Sequence, residues 1–146
     1  MDVAKDSLHR LEVLRDADKA ANKDFTADQI EIQRLAIAAW IAHGEGKMEE
    51  AVKLMRASAK LEDSIEKDNV TPGAIIPARE LLGELLLELE YPIEALKELE
   101  ASLVRTPNRR NGVYLAAQAA RLAGNPPKAS RYEQQYQQLV AFNQSH

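Results

Sequence analysis

The chain has 146 residues, a formal net charge of −4 at pH 7 and no cysteine. This length suits a single domain that buries roughly two-thirds of the surface of its unfolded chain. Because cysteine is absent, disulfide bonds and thiolate metal sites are excluded. Aromatic residues make up only 5% of the chain and hydrophobic residues 45%, so the core is expected to consist of aliphatic side chains on helices.

Hydropathy and charge exclude further classes. No run of about 18 apolar residues is present, so we expect no membrane insertion. The charged first residues lack the apolar segment of a signal peptide, so the compartment stays open, with a soluble, cytoplasmic protein favoured. Residues 62–104 hold 3 basic and 11 acidic side chains, whereas residues 105–146 hold 6 basic and 1 acidic. Since the basic part is short and the whole chain is acidic, nucleic-acid binding is not expected.

The uneven charge has two interpretations. It could steer a charged partner or favour head-to-tail contact between copies of the chain. Alternatively, it is simply a solvated surface on which acidic and basic side chains are unevenly distributed. The sequence alone leaves both interpretations open.

Hydrophobic periodicity predicts about seven helices separated by turns rich in Gly, Pro and Asn. The first helix carries a narrow apolar stripe of Leu8, Leu11 and Leu14. Between the third and fourth helices, residues 66–75 contain a Pro-Gly pair and are predicted to form a loop. The predicted helices are 2–21, about 27–43, 47–66, 77–90, 93–105, about 109–123 and about 127–143.

Small residues recur at a fixed spacing in the second half of the chain. The interval from Gly83 to Ala117 equals the interval from Ala95 to Ala129. The interval from Ala51 to Ala95 is longer by ten positions, and these additional residues fall in the region of the predicted loop. Small side chains allow two helix backbones to approach closely at a crossing. The spacing therefore predicts repeated pairs of antiparallel helices.

The spacing and the anchors resemble the tetratricopeptide repeat (TPR), a 34-residue helix-turn-helix unit with L-G-x2-Y, A-x3-F and P positions. The two equal intervals between small residues match this repeat period. The corresponding anchors here are Leu82-Gly83-x2-Leu86, Ala95-x3-Leu99 and Pro107. The resemblance implies an all-α fold in which antiparallel helix pairs stack as a short right-handed TPR-like solenoid.

The resemblance divides a single domain, residues 1–146, into an N-terminal helix, three repeats and an inserted loop. Residues 62–124 are also similar to the C-terminal region of larger bacterial TPR proteins of unassigned role. Those relatives often carry His-Pro where Asp68-Asn69 stands in this chain. The predicted parts are 1–25 for the N-terminal helix, 32–65, 76–109 and 110–143 for the repeats, the last of them with a capping helix, and 66–75 for the loop.

In TPR domains the first helix of each unit lines a concave face, so the resemblance implies a peptide groove there. The candidate groove residues combine aromatic, amide and charged side chains, which suits an extended peptide. Arg121 and Asn111 are expected to clamp a terminal carboxylate, whereas Glu80 and Glu84 would attract a basic residue. Carried over by position, the candidates are Gln33, Trp40, His43, Glu80, Glu84, Asn111, Tyr114, Gln118 and Arg121.

Several candidates also have a purely structural interpretation. Trp40 suits core filling as well as ligand contact, and His43 at the end of a helix suits a capping role. Glu80 and Glu84 lie one turn apart and suit salt bridges or a solvated face. Two adjacent arginines at the start of the sixth helix oppose the helix dipole, which hints at an anionic or carboxylate partner.

We therefore expect a non-catalytic scaffold that binds a protein or peptide segment, with no cofactor and no metal. The alternative is self-association, with homo-oligomers forming through the end faces or through the stripe on the first helix. A third hypothesis is a small-molecule or divalent-metal site in the groove, for which His43, Glu80 and Glu84 would be the acid–base or metal-binding set. Because the chain lacks an H-x-x-x-H pair, a glycine-rich phosphate loop and a G-x-S-x-G motif, an enzyme is not expected.

Overall fold

The computed structural model describes residues 2–20, 24–66 and 76–144. Helices form all the regular secondary structure of these residues, so the described chain is all-α, as the sequence predicts. None of the described helices combines the length and the apolar character needed to cross a membrane. The helices are α1 (Asp2–Ala20), α2 (Asp24–Gly44), α3 (Met48–Glu66), α4 (Ala78–Glu88), α5 (Pro92–Arg105), α6 (Arg110–Leu122) and α7 (Pro126–Gln144).

The helix ends lie within two residues of the predicted ones, except at the start of α2. α2 begins at Asp24, before the predicted start at about residue 27. α1 ends at Ala20, inside the segment 1–25 predicted for it. Residues 67–75, which make up nearly all of the predicted loop, lie outside the described residues.

The chain divides into two compact units, Met1–Ala78 and Arg79–His146. In the first unit, α2 packs against both α1 and α3. The Ser58 hydroxyl donates a hydrogen bond of 2.7 Å to the Ile32 carbonyl and so joins α3 to α2. The buried apolar residues of this unit are Ala27, Ile32, Ala36, Ala39, Ile41, Ala42, Ala51, Met55, Ala59, Ile65 and Ala78.

In the second unit, α6 packs against both α5 and α7. The small residues that recur in the sequence, Gly83, Ala95, Ala117 and Ala129, are all buried here. A Cβ added to Gly83 would come within 2.7 Å of the Leu99 Cδ2 atom. α4 and α5 therefore approach so closely that the side chain of Leu99 occupies the space of a Cβ on α4.

The turns that join α2 to α3, α4 to α5 and α6 to α7 are built alike. In each turn, a backbone N–H donates to the carbonyl five residues before it, as in the Schellman motif that ends many helices. The residue before the donor is left-handed, with φ values of +79° at Gly46, +66° at Glu90 and +74° at Gly124. The donors and acceptors are Lys47 and Ala42, Tyr91 and Leu86, and Asn125 and Ala120, each pair at 2.8 Å.

These turns have the same spacing as the alanine anchors. Each left-handed residue, Gly46, Glu90 or Gly124, stands five positions before an anchor. The anchors that follow them are Ala51, Ala95 and Ala129, in that order. The repeat in the sequence is therefore also a repeat in backbone hydrogen bonding.

We expect Glu90→Gly to raise the free energy of unfolding by roughly 0.5–1 kcal/mol, measured by urea unfolding. Among the described residues, Glu90 is the only one other than glycine with a positive φ, and a Cβ makes this conformation costly. The control is Gly124→Ala at the equivalent position, where an added Cβ meets nothing within 4 Å. This control should be less stable than the wild type for purely backbone reasons, and a destabilised Glu90→Gly variant would contradict the prediction.

Candidate functional site

Helices α6 and α7 line an open groove in the second unit. Two depressions, of about 530 and 170 Å³, share Tyr114 and Tyr136 and therefore form one continuous surface. The α6 residues recur every three or four positions, so they lie along one face of that helix over about 16 Å. The residues that line this α6–α7 groove are Arg109, Arg110, Asn111, Tyr114, Ala117, Gln118, Arg121, Glu133, Tyr136 and Gln137.

Two tyrosines form the centre of the groove. The ring centroids of Tyr114 and Tyr136 lie 5.4 Å apart, with an angle of 49° between the ring planes. The Gln118 side-chain amide donates a hydrogen bond of 2.7 Å to the Tyr114 hydroxyl oxygen. Tyr114 nevertheless remains 43% exposed. The site therefore offers aromatic surface that is held in place on the protein side and open on the other.

The charged side chains are paired at one end of the groove and unpaired at the other. Arg121 forms an ion pair with Glu133 across the groove; the Arg121 side chain remains largely exposed and that of Glu133 partly exposed. At the other end, Arg110 is exposed and makes no hydrogen bond or ion pair with any residue that the structure describes. The unpaired positive charge of the groove is therefore at Arg110.

Below the end of the groove that carries Arg110, the buried carboxylate of Glu80 joins α4 to α6. Glu80 is only 1% exposed. The Arg109 guanidinium donates two hydrogen bonds of 2.9 Å to the two Glu80 carboxylate oxygens, and the Asn111 amide donates a third of 3.2 Å. The hydrogen bond to Glu80 raises the pKa of Arg109 above its usual value, although burial opposes this.

Gly112 makes room for that carboxylate. A Cβ at Gly112 would lie 2.8 Å from the Glu80 Oε1 atom and 3.1 Å from the Leu103 Cδ2 atom. α6 therefore passes directly over Glu80 on α4 and Leu103 on α5. The absence of a side chain on α6 at this point allows the close crossing.

The structure brings four of the predicted site residues together and places a fifth differently. Asn111, Tyr114, Gln118 and Arg121 all line the α6–α7 groove. Glu80, predicted to attract a basic residue of a ligand, is instead buried and paired inside the unit. Its environment depends on the covering helix, which the local sequence around Glu80 does not specify.

Asn111 and Arg121, which were expected to clamp a terminal carboxylate of the ligand, have partners within the protein. The Asn111 amide donates to Glu80, and Arg121 is paired with Glu133. Both groups are therefore already engaged within the protein, although each still lines the groove. The cation that remains available is Arg110, which is one of the two adjacent arginines noted in the sequence but not one of the nine candidate groove residues.

Three other predicted residues lie on α2, in the first unit. Gln33 is exposed, whereas Trp40 and His43 are partly buried. The rings of Trp40 and His43 meet edge to face, with centroids 5.5 Å apart and an angle of 75° between their planes. This contact gives both rings a packing role in the first unit.

The α7 wall of the groove contains none of the predicted site residues, although the sequence carries a signal for it. Counting back one repeat period from Glu133, Tyr136 and Gln137 gives Leu99, Ser102 and Leu103. These three earlier residues are buried. Polar and amphipathic side chains at positions that are buried one repeat earlier indicate a surface that the described chain leaves open.

Within residues 2–20, 24–66 and 76–144, no three His, Asp or Glu side chains are arranged to hold a metal ion. Comparison of the chain with models of protein families, with curated proteins and with solved structures finds no match.

Glu84, the remaining predicted site residue, is partly buried on α4, and we expect Glu84→Gln to raise the free energy of unfolding at neutral pH. Burial raises the pKa of the Glu84 carboxyl, and the negative charges of Glu88 and Glu80 add to this effect. The folded chain therefore holds the charged form less well than the unfolded chain. The penalty is full above the folded-state pKa and fades as the pH falls through it towards the unfolded value. Urea unfolding from neutral pH to about pH 4 should show the variant and the wild type converging.

The matched variant Glu100→Gln should instead lower the free energy of unfolding at neutral pH. Burial alone would raise the pKa of Glu100, but hydrogen bonds from Lys128 and Tyr132 outweigh burial and lower it. Its ionised form therefore stabilises the fold above the unfolded pKa, and this contribution is lost as the pH falls through the folded pKa. If Glu84→Gln and Glu100→Gln changed the free energy of unfolding at neutral pH in the same direction, the opposite pKa shifts of the two carboxyls would be contradicted.

Proposed function

We propose that the protein is a non-catalytic binding module that holds a segment of another protein in the α6–α7 groove. The observation that carries the proposal is the Tyr114–Tyr136 pair at the centre of a groove lined by amides, in which Tyr114 is exposed and Tyr136 is partly buried. Tyrosine offers large apolar area together with a polar hydroxyl, and it is enriched in protein-binding surfaces. Amides such as Gln118 and Gln137 can bond to the backbone or side chains of a bound segment.

The finer fold proposed for the chain is a TPR-like solenoid of stacked helix pairs. Three turns of the same hydrogen-bonded form and four buried small anchors support it. Repeat proteins of this kind use their helical surfaces to bind partners, and their terminal repeats carry more polar outer faces. The polar wall of α7 fits a terminal repeat.

The shape of the groove favours a protein segment over a small molecule. Small-molecule sites are mostly apolar cavities that enclose the greater part of the ligand. The α6–α7 groove instead extends over about 16 Å of helix α6 and is lined mainly by polar and charged side chains. An elongated ligand with both apolar and polar groups complements such a surface.

The test is selection of short peptides by display, followed by affinity measurement on tyrosine variants. Tyr114→Ala should weaken binding of groove ligands by about tenfold or more, as expected for a central aromatic contact. Tyr91→Ala is the matched control, because Tyr91 is 53% exposed and lies in the α4–α5 turn, outside the residues that line the groove. Ligands that bind Tyr114→Ala as tightly as the wild type would refute the proposal.

Self-association is a second candidate, favoured by apolar side chains on α1. Val3, Val13 and Leu14 are all more than half exposed. Leu8 and Leu11 of the predicted stripe are partly buried instead, because α1 packs against α2. Light scattering over a range of concentrations should detect oligomers that Leu14→Lys disrupts, and a monomer throughout would exclude this candidate.

A further inference from the structure

The α6–α7 groove has a counterpart one repeat earlier in the chain. Tyr114 and Gln137, which line the groove, stand one repeat period after Glu80 and Leu103. Glu80 and Leu103 are the side chains that lie directly beneath Gly112 of α6. The groove is therefore equivalent to the surface of the α4–α5 pair that α6 covers.

The counterpart also indicates the direction of a bound helix. Glu80 lies in the first turn of α4, and its partner Arg109 immediately precedes α6. The N-terminal ends of α4 and α6 are therefore adjacent. A helix placed on the α6–α7 groove in the same register would begin beside the N-terminal end of α6 and run parallel to it.

The charges at this end are reversed between the two surfaces. On the α4–α5 surface the receiving side chain is the acid Glu80, and the docking helix supplies the cation Arg109. On the groove, Tyr114 stands at the position of Glu80, and the unpaired charge is the cation Arg110. A complementary helix therefore needs a carboxylate near its start, where its own dipole also favours negative charge.

We propose that the α6–α7 groove receives an amphipathic α-helix of a partner protein, which runs parallel to α6. An Asp or Glu in the first turn of that helix pairs with Arg110. The apolar face of the helix packs on Tyr114 and Tyr136. This inference rests on the proposed function and adds the conformation, direction and charge of the bound segment.

The test uses two display libraries as probes. One randomises the exposed face of a stable single helix, and the other contains short linear peptides with a central proline, which cannot form a continuous helix. Tight binders should come from the helical library, carry an acidic first turn, and bind Tyr114→Ala about tenfold or more weakly.

A charge exchange tests the pairing with Arg110. Arg110→Glu should weaken the selected helices by about tenfold or more, and replacing their first-turn acid by Lys should restore binding to this variant. Lys97→Glu is the matched control, because Lys97 is exposed on α5 and does not line the groove. It makes the same change in net charge and should leave affinity within about twofold, since exposed charges at a distance are screened.

The direction of the bound helix can be measured by fluorescence quenching. Because the chain contains no cysteine, a single introduced cysteine is the only site that takes the label. A fluorophore is attached to a single cysteine in Asn108→Cys or in Leu122→Cys, two exposed positions that flank opposite ends of α6 and do not line the groove. A quencher on the N-terminus of the helical peptide should quench the label at position 108 more strongly. Stronger quenching at position 122 would refute the parallel arrangement.

The remaining outcomes separate this inference from the proposed function. If only proline-containing peptides bind, and they depend on Tyr114, the helix inference fails while the proposed function stands. If neither library yields ligands that depend on Tyr114, both fail. If the purified chain forms oligomers that Tyr114→Ala dissociates, the occupant is a second copy, and the partner helix is refuted.

Discussion

Arg109→Ala is expected to lower the free energy of unfolding by about 3 kcal/mol, because it leaves the buried Glu80 carboxylate without its counter-ion. Glu80 is almost completely buried and receives two hydrogen bonds from Arg109. The lower part of the range for broken buried pairs applies, because Arg109 itself is partly exposed. Urea unfolding of the variant and the wild type measures the difference.

Two further variants test this interpretation of Arg109. Arg121→Ala removes an arginine from the exposed pair with Glu133 and should cost no more than about 0.5 kcal/mol. The double variant Glu80→Met/Arg109→Met should recover much of the lost stability, since removing both partners leaves no buried charge. Equal losses for Arg109→Ala and Arg121→Ala would show that the buried position of Glu80 has no special energetic role.

Leu99→Ala is expected to cost about 3 kcal/mol, because a fully buried side chain is removed from the α4–α5 crossing. Gly83→Ala alone should cost about 1–2 kcal/mol, because overpacking at this crossing outweighs the better helix propensity of alanine. The added Cβ overlaps the side chain of Leu99.

The two substitutions should compensate when they are combined. Leu99→Ala removes the atoms that the new Cβ of Gly83→Ala would meet, so the double variant should be more stable than the sum of the single effects predicts. A double-mutant cycle from urea unfolding gives the coupling energy, for which we expect about 1–2 kcal/mol. Strict additivity would mean that the close approach of α4 and α5 does not depend on Gly83.

The helices could be predicted from the sequence because their signals are local. Pro92 follows a turn and begins α5, and Gly46 and Gly124 mark two of the equivalent turns. Glu90 occupies the third equivalent position without being a glycine, so its left-handed conformation follows from the repeat spacing rather than from the residue type. The small anchors could be predicted for the same reason, since their spacing reflects a repeated crossing.

The site could be predicted only in part, because its properties depend on contacts between distant residues. The spacing of Tyr114, Gln118 and Arg121 places them on one face of α6, and the structure agrees. The two adjacent arginines, however, cannot be distinguished by sequence. Arg109 reaches Glu80, which lies 29 positions earlier in the chain, whereas Arg110 is left exposed.

The uneven charge of the chain is also explained by such contacts. The acidic stretch 62–104 and the basic stretch 105–146 are joined by Glu80 with Arg109 and by Glu100 with Lys128, the latter at 2.8 Å. Some of the acidic and basic side chains that the sequence suggested for binding a partner therefore pair with each other inside the second unit. The charge that remains available in the groove is smaller and more localised than the sequence suggests.

The equivalent turns have a consequence for how this chain can change in length. Glu90 and Gly124 occupy the same position in successive repeats. A tandem duplication of one whole period would therefore keep the spacing between the turns and the small anchor residues. An insertion of any other size must be absorbed where the repeat spacing is not kept. The ten surplus positions fall between Ala51 and Gly83, and part of them lengthens α3, which has 19 residues against the 14 of α5. On the proposed TPR-like fold, each unit added by duplication would cover the α6–α7 groove and carry a new groove at its own end.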